Sequence, residues 1–238
     1  MAYQQVFKRY EIKYILDMDQ KQRLLQVMEP YMRLDEYGRT TIRNLYFDTD
    51  NYRLIRHSIE KPVYKEKLRL RSYCRADDES PVFVELKKKY RSVVYKRRIA
   101  MPEKQALDWI CGENGRPEGQ IGAEIDYFLQ YYQTLHPTVF LSYEREAYYS
   151  QQGDGFRITF DAHILARREA LSLGADVWGT PLLEEGKVLM EIKTSGGIPL
   201  WLTRELTRER IYKASFSKYG TAYQTVIYPN CKGVFLYA

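Results

Sequence analysis

Seven stretches of this chain alternate charged and apolar residues with a period of two, and the charged member is usually Lys or Arg. Successive side chains of an extended strand point to opposite faces, so each stretch reads as a strand with one charged and one apolar face. Arg9, Glu11 and Lys13 oppose Tyr10, Ile12 and Tyr14; Lys67, Arg69 and Arg71 oppose Leu68 and Leu70; Glu85, Lys87 and Lys89 oppose Val84 and Leu86. Farther on, Val94, Lys96 and Arg98 face away from Tyr95 and Ile99, and Tyr143 shares a side with Arg145. Arg157, Thr159 and Asp161 oppose Ile158 and Phe160, and Glu191 and Lys193 oppose Val188, Met190 and Ile192. Any one such face is the ordinary solvated exterior of an antiparallel sheet. Taken together they differ from a sandwich exterior, which mixes Thr, Ser, Gln and Asn with its charges.

Strands are expected near 6–15, 41–48, 64–73, 81–89, 92–100, 138–149, 155–164 and 187–194, from their Val, Ile, Tyr and Phe content. Helical stretches fall at 19–32, 102–111, 121–135, 199–211 and 216–227, separated by turns such as 77–81 and 153–155. A barrel uses both features, because closure turns one face of every strand inward while helices cover the other. The expected class is therefore α+β: an eight-stranded antiparallel β-barrel with a charged interior and helices packed on the outside. With no repeat, low-complexity tract or long linker, residues 1–238 read as one domain.

The net charge of +6 favours anionic partners. No apolar run approaches the roughly 20 residues that span a bilayer, and the first residues, MAYQQVFKRY, lack the apolar core of a secretory signal. Cys74, Cys111 and Cys231 are scattered and without CxxC spacing, which suits a reducing compartment and no zinc site. The cytoplasm is the expected location.

Many cations in one cavity repel each other, so the arrangement makes sense around a polyanion. A row of phosphates suits it, Arg offering a planar fork of donors and Lys a compact charge. Carboxylates there would work against anion binding alone; their natural task is to hold Mg²⁺ or Mn²⁺, hard cations that bridge phosphate oxygens. Phosphoryl transfer then asks the protein mainly for positioning and charge neutralisation. This fits the absence of GxxxxGK[ST], GxSxG, HExxH and kinase motifs. His57, His136 and His163 are isolated and read as structural or surface residues, and Ser215 and Ser217 lack a paired His. Tyr127 to Tyr132 fall at helical spacing and read as packing rather than a base-stacking platform. Gly196 and Gly197 form a single turn.

The segments FKRYEIKY, NLYFDT (44–49), KLRLRSY (67–73), VFVELKKK (82–89), VVYKRR (93–98), LSYEREAY (141–148), FRITFD (156–161), LMEIKTSGGIPLWL (189–202) and FSKY (216–219) occur in order. Together they resemble the VTC domain, the polyphosphate polymerase branch of the triphosphate tunnel metalloenzymes. The resemblance implies an eight-stranded tunnel in which the γ-phosphate of ATP passes to a growing polyphosphate chain with a divalent metal, Mn²⁺ or Mg²⁺. By resemblance, Lys13, Arg69, Arg71, Lys87, Lys96, Arg145, Arg157 and Lys193 line the phosphate path, and Glu191 is the principal metal ligand. Tyr143 lies beside the phosphates, and Ser217 with Lys218 caps one end from a helix. From facing alone, Glu11, Glu85 and Asp161 are metal ligands or partners that orient the cations, and Arg9, Lys67, Lys89 and Arg98 are further phosphate-binding candidates.

Tunnel hydrolases open with ExExK, whereas Arg9-Tyr10-Glu11-Ile12-Lys13 has Arg in place of the first Glu, which favours the polymerase. Family members often carry a basic residue two positions before the Ser-Lys pair; Ser215 stands there, with Lys213 nearby. The alternatives are a metal-dependent triphosphate hydrolase of the same fold and a non-catalytic polyphosphate or nucleotide binder. ATP and inorganic polyphosphate or triphosphate are the expected partners and nucleic acid is not, since RNA platforms display aromatics beside cations on an open surface. A membrane-protein partner would leave no mark in this sequence.

Overall fold

Nine strands form one antiparallel sheet in a computed structural model that describes residues 6–91, 93–112 and 115–231, with side chains from 10 to 229 within those ranges. The strands are β1 (Val6–Asp17), β2 (Met32–Asp48), β3 (Tyr64–Ser72), β4 (Pro81–Tyr90), β5 (Val93–Pro102), β6 (His136–Ser150), β7 (Arg157–Arg167), the two-residue β8 (Thr180–Pro181) and β9 (Lys187–Thr194). Their order is β6-β2-β3-β4-β5-β1-β9-β7-β8, and β6 also pairs with β7. Eight strands thus run in a ring, with β8 appended to β7. β1 changes partner along its length, pairing with β5 through Val6–Arg9 and with β9 through Tyr10–Asp17. This is the stagger expected of tilted barrel strands.

Helices cover the apolar outer faces. α1 (Met18–Met28) starts at a capping box in which Asp17 accepts from the Gln20 amide and the Gln20 side chain accepts from the Asp17 amide. With α5 (Leu200–Arg208) it buries Leu24, Met28, Leu202 and Leu206 against Leu16, Ile158, Phe160, Met190 and Ile192. α3 (Glu103–Ile110) and α4 (Gln120–Tyr132) bring Trp109, Ile125 and Phe128 onto Leu68, Leu70, Val84 and Leu86. These are the apolar positions that alternate with the charged ones.

A third cluster lies inside, at one end of the barrel. Ile55 of α2 (Arg53–Ile59) and Tyr219 and Ala222 of α6 (Lys218–Ala222) pack on Ile42, Tyr46, Leu141, Tyr143 and Leu189. Two helices therefore cap the lumen rather than cover the outside. Four other features differ from the sequence reading. β2 begins at Met32, nine residues earlier than its apolar run, because its first half pairs with β6 while remaining polar. α2 is an additional helix. The last helix is divided: α6 leads into a π-helical turn (Tyr223–Ile227) and α7 (Tyr228–Cys231). In β7 the alternation breaks at His163, whose φ of 47° marks a bulge opposite Ser142–Glu144. Ala162 lies in the outer cluster, and Ile164 and Ala166 join the inner one.

Candidate functional site: a cation-lined barrel interior

Register decides which charges meet. Across β3, β4 and β5, Lys67 stands opposite Lys87 and Lys87 opposite Lys96, three lysines in one row. The next row pairs Lys65 with Lys89. Like charges directly opposite on a sheet are destabilising by themselves. The adjoining row alternates, with Arg69 opposite Glu85 and Glu85 opposite Arg98.

Two carboxylate-centred networks organise the rest. Glu85, fully buried, accepts from Arg69 Nε at 2.9 Å and Nη2 at 2.8 Å, lies 3.8 Å from Arg71 Nε and forms an ion pair with Lys96. Arg69 also donates to the Tyr46 hydroxyl (2.8 Å), while Arg71 donates to Asn44 Oδ1 (3.0 Å) and the Tyr143 hydroxyl (2.9 Å). In the second network Arg145 forks onto Asp161 at 2.6 and 2.7 Å, and Lys218 reaches Asp161 at 2.6 Å. Glu191 meets Lys218 at 3.1 Å, Lys13 and Lys193 at 3.4 Å and Arg145 at 3.6 Å. Lys218 and Arg145 also sit over the Tyr143 ring, 4.6 and 5.0 Å from its centroid.

These surroundings set the protonation states. Burial would raise the Glu191 carboxyl, but Lys218, Lys13, Lys193 and Arg145 hold it well below the usual carboxylate range. Burial would likewise raise Glu11, yet chiefly Lys87, 2.6 Å away, brings it down to about 2. Lys218 is raised against its own burial by Asp161 and Glu191. Burial takes Lys96 down to about 7 despite Glu85. Lys67 is pushed well below the ordinary lysine range by burial and by Lys13, Lys65, Lys87 and Arg69, all cations. Its ammonium donates to Ser217 Oγ at 3.1 Å, and Ser217 in turn caps α6 through the Gly220 amide.

Lys13, Lys67, Arg69, Arg71, Lys87, Lys96, Tyr143, Arg145, Glu191, Lys193, Ser217 and Lys218 thus share one connected interior with Glu11, Glu85 and Asp161. Lys193 donates to Thr159 at 3.1 Å and Lys13 to the Phe216 carbonyl at 2.7 Å. Two candidates are peripheral: Arg157 is 44% exposed and bonds Asp35 at 2.9 Å, and Lys89 is half-buried near the β4 end. Arg98 stands opposite Glu85 and lies over the Phe83 ring at 4.4 Å. The Arg9 side chain lies outside the described residues. Sequence reasoning passed over Asn44, Tyr46 and Asp48, although NLYFDT alternates them with Leu45 and Phe47. That strand carries Asn, Tyr and a single Asp where its neighbours carry Lys and Arg, so the run of cations did not mark it.

Glu85 and Asp161 fit the role of orienting partners, since each is already bonded by an Arg fork and a Lys. Among the described residues no three His, Cys, Asp or Glu side chains converge as a metal-binding group. Glu191 and Glu11 do lie close enough for the charge of Glu191 to bear on Glu11. A hard divalent ion that takes one or two carboxylates and completes its shell with phosphate oxygens and water fits this donor set.

The family profile for the VTC domain matches residues 8–227. The chain belongs to the VTC domain family. Among solved structures, a candidate adenylate cyclase from Bacillus halodurans is 16% identical with a TM-score of 0.57, covering 90% of this chain and 96% of that one. A candidate adenylyl cyclase from Hippeastrum, described as having a dominant triphosphatase activity, is 15% identical with a TM-score of 0.53, covering 92% and 96%. These two share the tunnel fold with this VTC domain. No curated protein matches it by sequence. No helix among its described residues is long and apolar enough to cross a membrane.

Proposed function

We propose that this VTC domain is a metal-dependent polyphosphate polymerase, acting in the cytoplasm as one unit over residues 1–238. The observation that carries the reading is the Lys67–Lys87–Lys96 row with Lys13 beside it, an arrangement of half-buried like charges that a bound chain of phosphates would relieve. In the reaction a terminal oxygen of the acceptor polyphosphate attacks the γ-phosphorus of ATP, the bond from that phosphorus to the β–γ bridging oxygen breaks, and ADP leaves. Arg69 and Arg71, fixed by Glu85, Tyr46 and Asn44, and Arg145, fixed by Asp161, present rigid donors to the phosphoryl oxygens. Lys218 and Lys193 neutralise charge beside Glu191. Glu191, with Glu11, would hold Mn²⁺ or Mg²⁺, which when bound draws charge from the phosphate oxygens.

The second reading is a triphosphate hydrolase, supported by the activity described for the Hippeastrum neighbour. Against it stands Arg9 at the position of the first carboxylate in ExExK. Incubation with ATP and Mn²⁺ or Mg²⁺, products resolved on a gel, separates the two. ADP with long-chain polyphosphate is the expected outcome; ADP with free phosphate alone means hydrolysis.

A further inference from the structure

Outside the barrel, α2, the start of β3, the end of β4 and α4 enclose a groove of about 460 Å³. α4 contributes two kinds of aromatic residue. Phe128 is buried on the sheet and Tyr132 leans inward to Glu66, as helical spacing anticipates for packing residues. Tyr127 and Tyr131, one turn apart on the same side of the helix, are 70% and 54% exposed and line the groove. The facing wall is cationic. Arg53 holds its guanidinium 5.4 Å from the Tyr131 centroid and 5.3 Å from that of Tyr132, and donates to the Tyr131 hydroxyl at 3.3 Å. Lys88 adds a cation from β4, on the sheet face it shares with Glu66, while Lys65 lines the groove but donates its ammonium to the Ser58 carbonyl at 2.9 Å. Among the described residues that line the groove, Glu66 is the one carboxylate, and it is already engaged: Oε2 accepts from Tyr64 at 2.6 Å and Oε1 from Tyr132 at 2.9 Å.

What remains for a ligand is a pair of exposed aromatic rings beside two cations. We infer that this groove binds a single nucleotide, its base stacked on Tyr127 and Tyr131 and its phosphate held by Arg53 and Lys88. Every base has a π-face, and stacking on tyrosine accepts any of them. The Arg53 fork suits phosphate, and its contact with the Tyr131 ring sets base and phosphate subsites side by side. The volume is that of a small-molecule site and too small for a strand. The site stands apart from the barrel interior and does not depend on the chemistry proposed there.

The test is calorimetric titration of the whole chain with AMP at low salt, repeated with ribose 5-phosphate and with a short oligoadenylate. AMP is expected to bind saturably, ribose 5-phosphate at least tenfold more weakly. Arg53→Ala and Tyr131→Ala are each expected to weaken AMP about tenfold or more while leaving tripolyphosphate binding and the melting temperature unchanged. Both side chains are surface groups, so the fold tolerates their loss. AMP binding that survives both substitutions and disappears in Arg69→Ala would place the nucleotide in the barrel and overturn the inference. Equal affinity for ribose 5-phosphate would remove the base-stacking half of it, and an oligoadenylate bound far more tightly than AMP through the same residues would replace a mononucleotide site with an RNA surface.

Discussion

Lys67 has four cations as its charged neighbours and a serine hydroxyl as its hydrogen-bond partner, which is a poor environment for an ammonium ion. Its folded pKa lies well below the 10.5 of an ordinary lysine. Between those two pH values the unfolded chain binds more protons than the folded one, so Lys67 makes stability rise with pH across that window. A bound polyphosphate reverses the penalty and returns the proton. Tripolyphosphate binding at alkaline pH is therefore expected to take up protons, measured as a buffer-dependent enthalpy, and Lys67→Met should take up fewer. Lys67→Met should also stabilise the ligand-free protein by roughly 1 kcal/mol while weakening tripolyphosphate; equal uptake in both proteins would contradict this account. Glu191 is the opposite case, an anion holding four cations. Glu191→Ala should cost about 3–5 kcal/mol by leaving those charges unpaired, recover much of that loss in tripolyphosphate, and abolish turnover. A variant that keeps both stability and turnover would show that Glu191 neither organises the cations nor serves the reaction.

The placement of Lys218 depends on α6, which is tied down by one carboxylate. Asp48 accepts from the amides of Thr49, Leu54 and Ile55 at 2.9 to 3.0 Å and from the Tyr219 hydroxyl at 2.8 Å. It thus caps the start of α2, whose own N-cap Tyr52 supplies no side-chain bond, and fastens α6 to it. Tyr219→Phe removes one of these bonds inside the barrel, at a cost of about 1–3 kcal/mol and a fall in melting temperature of about 2–4 °C per kcal/mol. Turnover should drop several-fold with tripolyphosphate affinity little changed, because Lys218 is one cation among many for binding. Unchanged turnover would mean that α6 is held in place without Asp48. This element was only half legible in the sequence. FSKY marked Ser217 and Lys218 as an end cap, but a helix of 216–227 read as outer packing gives no hint that Tyr219 enters the lumen or that a π-helical turn follows. A short helix with buried polar groups lacks the one-sided apolar stripe that periodicity detects.

Across the whole molecule, period-two alternation was legible wherever one strand face met helices and the other met charge, as in β3, β4 and β9. It failed where the interior turns apolar, since Ile42, Leu141, Ile164 and Ala166 face the same cavity as Arg69 and Glu191, and where the His163 bulge resets β7. Ring closure through β6 and β7 is a long-range fact of register that no local pattern encodes. Closure also brings β3 and β9, which carry Arg69 and Glu191, onto one interior. If the charged faces were solvated exteriors, a multivalent anion would meet them as weakly as it meets any basic surface. Gathered around one cavity, they should bind it only in the folded state. Tripolyphosphate at 100 times its dissociation constant should add about 2.7 kcal/mol, a rise in melting temperature of roughly 5–10 °C for a chain of this size. The rise should shrink with added salt as screening shortens the reach of the charges. It should also shrink in Arg69→Ala, which removes a lumen cation, and persist in Arg53→Ala, whose charge lies outside. No rise at millimolar tripolyphosphate in low salt, or an equal loss from both substitutions, would show that the interior cations do not act as one anion site.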